Sequence, residues 1–145
     1  MKNLYLPSLI IILNSILVGC EREECFTPPQ PVVLEFVDGS GANLLSNGSL
    51  NSKKIIIQED NGNGTLVNIN HTLREDNKIM IKDNVWKEGL RNYDVYLTMD
   101  SIRTFKFKTE TSKFTGKCSG YELTNVQVEN IPSTKENGYF KIIID

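Results

Sequence analysis

Apolar and polar residues alternate with a period of two in short runs along most of this chain, a pattern that restricts it to extended strands with one buried face. Val67 and Ile69 alternate with Asn68 and Asn70, and Ile79 and Ile81 with Lys78, Met80 and Lys82. Tyr93, Val95, Leu97 and Met99 share one side of a run, and Phe105 and Phe107 stand opposite Lys106 and Lys108. The runs end in turn chemistry such as Gly39-Ser40-Gly41, Asp60-Asn61-Gly62-Asn63-Gly64 and Arg74-Glu75-Asp76-Asn77. The spacing predicts about eight strands, at 32–38, 53–59, 65–73, 78–82, 93–99, 102–109, 121–129 and 139–144.

One face in and one face wet is the mark of antiparallel sheets packed as a sandwich. The expected fold is therefore all-β, an antiparallel β-sandwich of immunoglobulin-like or transthyretin-like type rather than a closed barrel. No window of helical length has a 3.6-residue period. The best short candidate is a single turn at 85–90, with Trp86 plugging the end of the sandwich.

The N-terminus has a different character. Lys2 precedes an apolar run over 4–18, broken only by Pro7, Ser8, Asn14 and Ser15. The run is short for a membrane span, which needs about 20 apolar residues, and suits the h-region of a secretory signal. Leu17-Val18-Gly19-Cys20 resembles the bacterial lipobox, in which a small residue precedes a cysteine whose thiol takes up diacylglycerol. The resemblance implies a signal peptide over 1–19, a lipidated Cys20, a tether and Pro-rich linker over 20–31, and a sandwich domain over 32–145. At about 0.8 kcal/mol per buried CH₂, two or three acyl chains hold a protein on a membrane essentially permanently.

Cysteine arithmetic follows from that reading. Of the three cysteines, Cys20 goes to lipid, which leaves Cys25 and Cys118 to pair in an oxidising compartment. Two free thiols, or a partner on another chain, are the alternatives. Removing the signal peptide takes only Lys2 from the 16 basic residues, so 15 face 18 acids, a net charge of −3. Nucleic-acid binders carry basic stripes instead, and no nucleic-acid partner is expected.

Further residues are familiar as a set. The lipobox, a nearby Cys25, the prolines Pro28, Pro29 and Pro31, a strand ending in Asp38-Gly39, the Asn43-Leu44-Leu45 segment, and Cys118 before Tyr121, Val126 and Val128 together resemble small Bacteroidota surface lipoproteins with β-sandwich domains. The resemblance implies a fold and an outer-membrane address, and supplies no active site. Cys20-Glu21-Arg22-Glu23-Glu24 is similar to the surface-export signal of such proteins, with Arg22 in place of Lys; an ordinary charged tether facing the periplasm is the alternative. Asp100-Ser101-Ile102 matches their O-glycosylation sequon, with Ser101 as acceptor, although a plain hairpin turn explains it equally.

Candidate chemistry is sparse. Triads need a base, and the single histidine, His71, falls on the inward alternation as a structural residue. With one His, a Cys/His zinc site is not expected. The Asp60 loop faintly resembles a calcium loop, but Asn70 stands where the bidentate Glu belongs. Lys106 and Lys108 could meet an anionic glycan, although lysines guarding an edge strand explain them as well. No two acids have a spacing that fixes a glycosidase geometry. The expectation is a non-enzymatic, membrane-tethered binding or structural module without cofactor or metal, whose partner is an envelope protein or glycan. A small hydrolase acting through acids around Asp60 is one alternative. An accessory subunit of an envelope assembly, marked by an exposed apolar strand edge, is another.

Overall fold

The computed structural model describes residues 25–82, 87–97, 104–116 and 118–144. They form eleven strands in two sheets. The first sheet runs in the order β1 (Phe26–Thr27), β9 (Ser119–Glu129), β8 (Phe105–Phe114), β7 (Gly89–Tyr96), β3 (Ile56–Asp60) and β4 (Leu66–Asn68). The second runs β10 (Ser133–Glu136), β11 (Tyr139–Ile143), β2 (Val32–Val37), β6 (Ile79–Ile81) and β5 (His71–Leu73).

The period-two alternation decides which side chains meet. Ile55, Ile57, Tyr93, Val95, Leu97, Phe105 and Phe107 from the first sheet pack against Val32, Leu34, Phe36, Ile79, Ile81 and Ile142 from the second. Phe36 and Phe105 join the layers, with ring centroids 6.2 Å apart. Tyr93 and Phe107, partners in the β7–β8 register, stack at 4.6 Å. Each such side chain contributes about 1.5–3 kcal/mol on burial, so this double layer is the principal source of stability. The all-β sandwich expected from the sequence is the observed architecture.

Its details differ from the expectation in ways that have physical causes. There are more than eight strands, and the sheets are mixed: β1 runs parallel to β9, and β11 parallel to β2. The run 65–73 is two strands in different sheets, because after β4 the chain crosses at Ile69-Asn70 and enters β5. Residues 52–54 form a 3-10 turn capped by the Asn51 side chain, so the strand expected from residue 53 begins at Ile56. Strand β7 already starts at Gly89, inside the expected helical turn, while Trp86 lies outside the described residues. Strand β10 is wholly polar and exposed, so it carries no alternation to read.

Strand β1 lies within the expected linker. A disulfide joins Cys25 to Cys118, with an S–S distance of 2.04 Å, and sets the strand beside β9. The bond closes a separation of 93 residues, worth about 4–5 kcal/mol through restriction of the unfolded chain. Pairing stops after Thr27 because Pro28 and Pro29 have no amide hydrogen to continue a ladder.

The loop over 38–51 returns along β2 and is held by side chains that mimic backbone. Asp38 Oδ1 accepts from the Ser40 hydroxyl (2.6 Å), the Ser40 amide (2.9 Å) and the Ala42 amide (3.0 Å). The Ser40 hydroxyl, followed by the Ala42 amide, holds the Asp38 carboxyl below its usual pKa range. Asn43 accepts from the Leu45 and Ser46 amides and donates to Glu35 Oε1 and the Asn77 carbonyl. Leu44, Leu45 and Leu50 thereby reach the core.

Candidate functional site

The sheet edges are unequally protected. On one side of the sandwich, β1 is a two-residue strand fixed by the disulfide, the stretch of β9 it leaves uncovered contains Glu122 and Glu129, and β10 carries Lys135 and Glu136. Charges and very short strands are the usual means of blunting an edge. On the other side, β4 ends the first sheet and β5 ends the second. The segment from Thr65 to Leu73 that supplies both contains no Asp, Glu, Lys or Arg. It exposes Leu66 (44%), Val67 (43%) and Leu73 (49%).

Register places Leu66 on the outward face of the first sheet. It pairs with Asp60, which pairs with Asn92 of β7, and residues opposite one another share a face. Leu90, two residues before Asn92 on the same strand, points to that face and is 64% exposed. The bare edge thus continues as an apolar corner onto the outer surface. Strand length and alternation predicted a run at 65–73, but the edge position of its two halves depends on long-range pairing, which the sequence does not display.

The lysines of β8 occupy a different setting from the one expected. Strand β8 lies between β9 and β7, so Lys106 and Lys108 do not guard an edge. Both point outward and meet carboxylates on neighbouring strands. Lys106 Nζ lies 3.6 Å from Asp94 Oδ1, and Lys108 Nζ lies 2.6 Å from Glu129 Oε1. Their charge is locally balanced, which weakens the attraction they would offer an anionic glycan.

Asp60 is committed to its own turn: its Oδ1 accepts from the Gly62 amide at 2.8 Å, as Asn63 Oδ1 does from the Thr65 amide at 3.0 Å. Gly62 and Gly64 take the positive φ of 75° and 80° that the turn requires. Glu59 and Asp60 point to opposite faces of β3, so the two acids cannot converge on one substrate. Among the described residues, no group of three His, Cys, Asp or Glu side chains is placed to hold a metal ion. His71 is half-buried opposite Ile81, with Nε2 3.4 Å from the Ser52 carbonyl oxygen. Cys20 and Ser101 lie outside the described residues.

Sequence reasoning missed one polar cluster inside the sandwich. Arg91 and Glu59 form an ion pair on the inward face, diagonal across β7 and β3 and mostly buried. Beside them Tyr93 is fully buried. Burial pushes its phenol up in pKa; the nearby Thr109 hydroxyl opposes this, the Glu59 charge reinforces it, and Arg91 opposes it. Thr109 Oγ1 and Thr111 Oγ1 are buried without a hydrogen-bond partner among the described residues. An Arg every second residue from Tyr93 and Val95 was the available signal; the alternation continues through it, with a charge at an inward position.

Comparison with protein-family models, with curated proteins and with solved structures finds no match.

Proposed function

We propose that this protein is a lipid-anchored envelope protein whose β-sandwich serves as a non-enzymatic docking module for another envelope protein. The observation that carries the docking part is the charge-free edge of β4 and β5, with Leu66, Val67 and Leu73 in solvent. An unguarded strand edge offers main-chain hydrogen bonds and apolar contacts, the two elements of strand-addition interfaces. The anchoring part rests on Leu17-Val18-Gly19-Cys20 and the apolar run before it. The Cys25–Cys118 disulfide supports export, since such bonds persist in oxidising compartments.

The surface-exposed face of a bacterial outer membrane is the proposed location, from the acidic residues that follow Cys20. Ser101 is the proposed glycan acceptor of the chain. Glycan binding through Lys106 and Lys108 is the less favoured reading, because both lysines have carboxylate partners.

Two variants test the proposal. Cys20→Ala in the full chain should abolish labelling by a fatty-acid analogue and release the protein from the membrane fraction; undiminished labelling and retention would overturn the anchor. Leu66→Lys with Leu73→Lys should leave stability within about 0.5 kcal/mol, as surface substitutions do. Introduced beside Val67→Cys, the pair should also remove the cross-linked envelope partner that the protein with Val67→Cys alone captures. A partner captured equally by both proteins would overturn the docking edge.

A further inference from the structure

Strand β1 is held to the sheet in an unusual way. It has two residues, pairs only with Ser119 and Gly120, and buries neither Phe26 nor Thr27. None of its side chains belongs to the core cluster. Strand β9 needs no help from it, since β9 is paired with β8 along nearly its whole length. The supports of β1 are outside the core: the Cys25–Cys118 bond, the Ser119 amide donating to the Cys25 carbonyl at 3.2 Å, and an edge-on contact of Phe26 with the Tyr121 ring, centroids 6.2 Å apart. The packing of the sheet therefore does not depend on the contacts that the strap makes in the folded protein.

The strap also covers something. A cleft of about 410 Å³ lies against β9, lined by Thr27, Pro28, Gln30, Phe114, Tyr121 and Leu123. The Thr27 carbonyl sits so close over Gly120 that a Cβ there would be 2.3 Å from it. Beyond Gly120 the same edge of β9, residues 121–129, pairs with no strand among the described residues. Lifting β1 would extend that open edge to the entire strand and widen the cleft.

We propose that Cys25–Cys118 is a releasable strap, and that a dithiol reductant frees residues 25–27 from β9 while the two-layer core stays folded. In the reaction one thiolate of the dithiol attacks a protein sulfur and forms a mixed disulfide. The second thiol of the reductant then displaces the remaining protein sulfur. Two electrons pass to the protein, which gains two thiols, and the reductant leaves as a disulfide. The swing starts at Pro28, the first residue that cannot pair. The inference concerns the side of the sandwich opposite the β4–β5 edge and holds whether or not Cys20 carries lipid.

Amide exchange in the full chain, before and after dithiothreitol, tests it. The Ser119 amide should exchange at least about ten-fold faster once its Cys25 acceptor has left, while the Tyr93 and Phe107 amides, accelerated only by the global stability lost with the bond, should stay at least about ten-fold more protected than Ser119, the signature of a local opening. Iodoacetamide should then alkylate both Cys25 and Cys118. A Ser119 amide as protected as before, with both thiols alkylated, would show that β1 stays without its bond and would overturn the strap. Loss of protection at Tyr93 and Phe107 together with Ser119 would overturn it as well, since the bond would then be a staple for the whole domain. Cys25→Ser with Cys118→Ser should reproduce the reduced pattern; if that variant does not fold during synthesis, the reduced wild type remains the deciding measurement.

Discussion

Glu59 of β3 and Arg91 of β7 form an ion pair on the inward side of their sheet, mostly shielded from water and next to the buried ring of Tyr93. Such a pair is costly to break from one side, because the remaining charge keeps its desolvation penalty without its partner.

Arg91→Ala should therefore lower unfolding free energy by about 2–3 kcal/mol, somewhat less than for a fully buried pair because water still reaches both groups. Glu59→Gln together with Arg91→Met, which removes both charges and keeps the volume, should recover most of that loss. Urea denaturation of the three proteins decides the matter. A double variant as unstable as Arg91→Ala would mean that the ion pair itself contributes that stability, and that the loss in Arg91→Ala is not the penalty of an unpaired charge.

The same cluster sets an alkaline limit. Burial raises the Tyr93 pKa in the folded protein above its ordinary value, so at high pH the unfolded chain releases the phenolic proton while the folded one retains it. The folded state then binds more protons, and stability must fall as pH rises. The contribution of Tyr93 is fully present below about pH 10, the ordinary tyrosine value, and is lost above it as pH climbs toward the raised value. Denaturation midpoints of the wild type should drop between pH 9 and pH 11 (about the range spanning that value). Tyr93→Phe should flatten the drop, and an equal decline in both proteins would remove Tyr93 as its source.

Much of this architecture is written locally. Phe105 and Phe107 face inward and Lys106 and Lys108 outward, as alternation requires, and Val32, Leu34 and Phe36 bury one side of β2. Cys25 and Cys118 are joined as their isolation after Cys20 suggested. What the sequence hides is pairing at a distance. Nothing local says that β11 runs parallel to β2, or that Leu66 and Leu73, seven residues apart, end different sheets. Strand β10 was invisible because an exposed edge imposes no hydrophobic period. The charge on Arg91 obscured an inward position for a related reason: alternation read by hydropathy assigns a cation to solvent, whereas here a carboxylate across the sheet satisfies it.

Gly120 offers a separate handle on β1. A methyl group there would lie 2.3 Å from the Thr27 carbonyl and 2.8 Å from Phe114 Cζ. The phenyl ring can turn aside, but the backbone oxygen can move only if β1 moves with it. Gly120→Ala should cost about 1–3 kcal/mol, the usual range for overpacking, and should increase protease cleavage near Phe26 in the oxidised protein. Gly116→Ala is the control, since its added carbon would meet only the Cys118 carbonyl at 3.8 Å. Equal stability of the two variants would mean that the β1–β9 contact is looser than its geometry indicates.

Asn43 joins three parts of the chain through a single amide. Its oxygen accepts from Leu45 N (3.0 Å) and Ser46 N (2.9 Å), while its nitrogen donates to Glu35 Oε1 and the Asn77 carbonyl, each at 3.1 Å. The first two bonds turn the chain so that Leu44 and Leu45 reach the core; the others tie that turn to β2 and to the loop before β6. Each bond contributes about 0.5–1.5 kcal/mol net, and they share one side chain, so Asn43→Ala should lose about 2–3 kcal/mol. Asn43→Asp separates the two halves: the oxygen still caps Leu45 and Ser46, but the donor is gone and a second carboxylate faces Glu35. Combining Asn43→Asp with Glu35→Gln removes that repulsion and should regain part of the loss. If Asn43→Ala unfolds at the same urea concentration as the wild type, the turn is held by its leucines alone and the amide is dispensable.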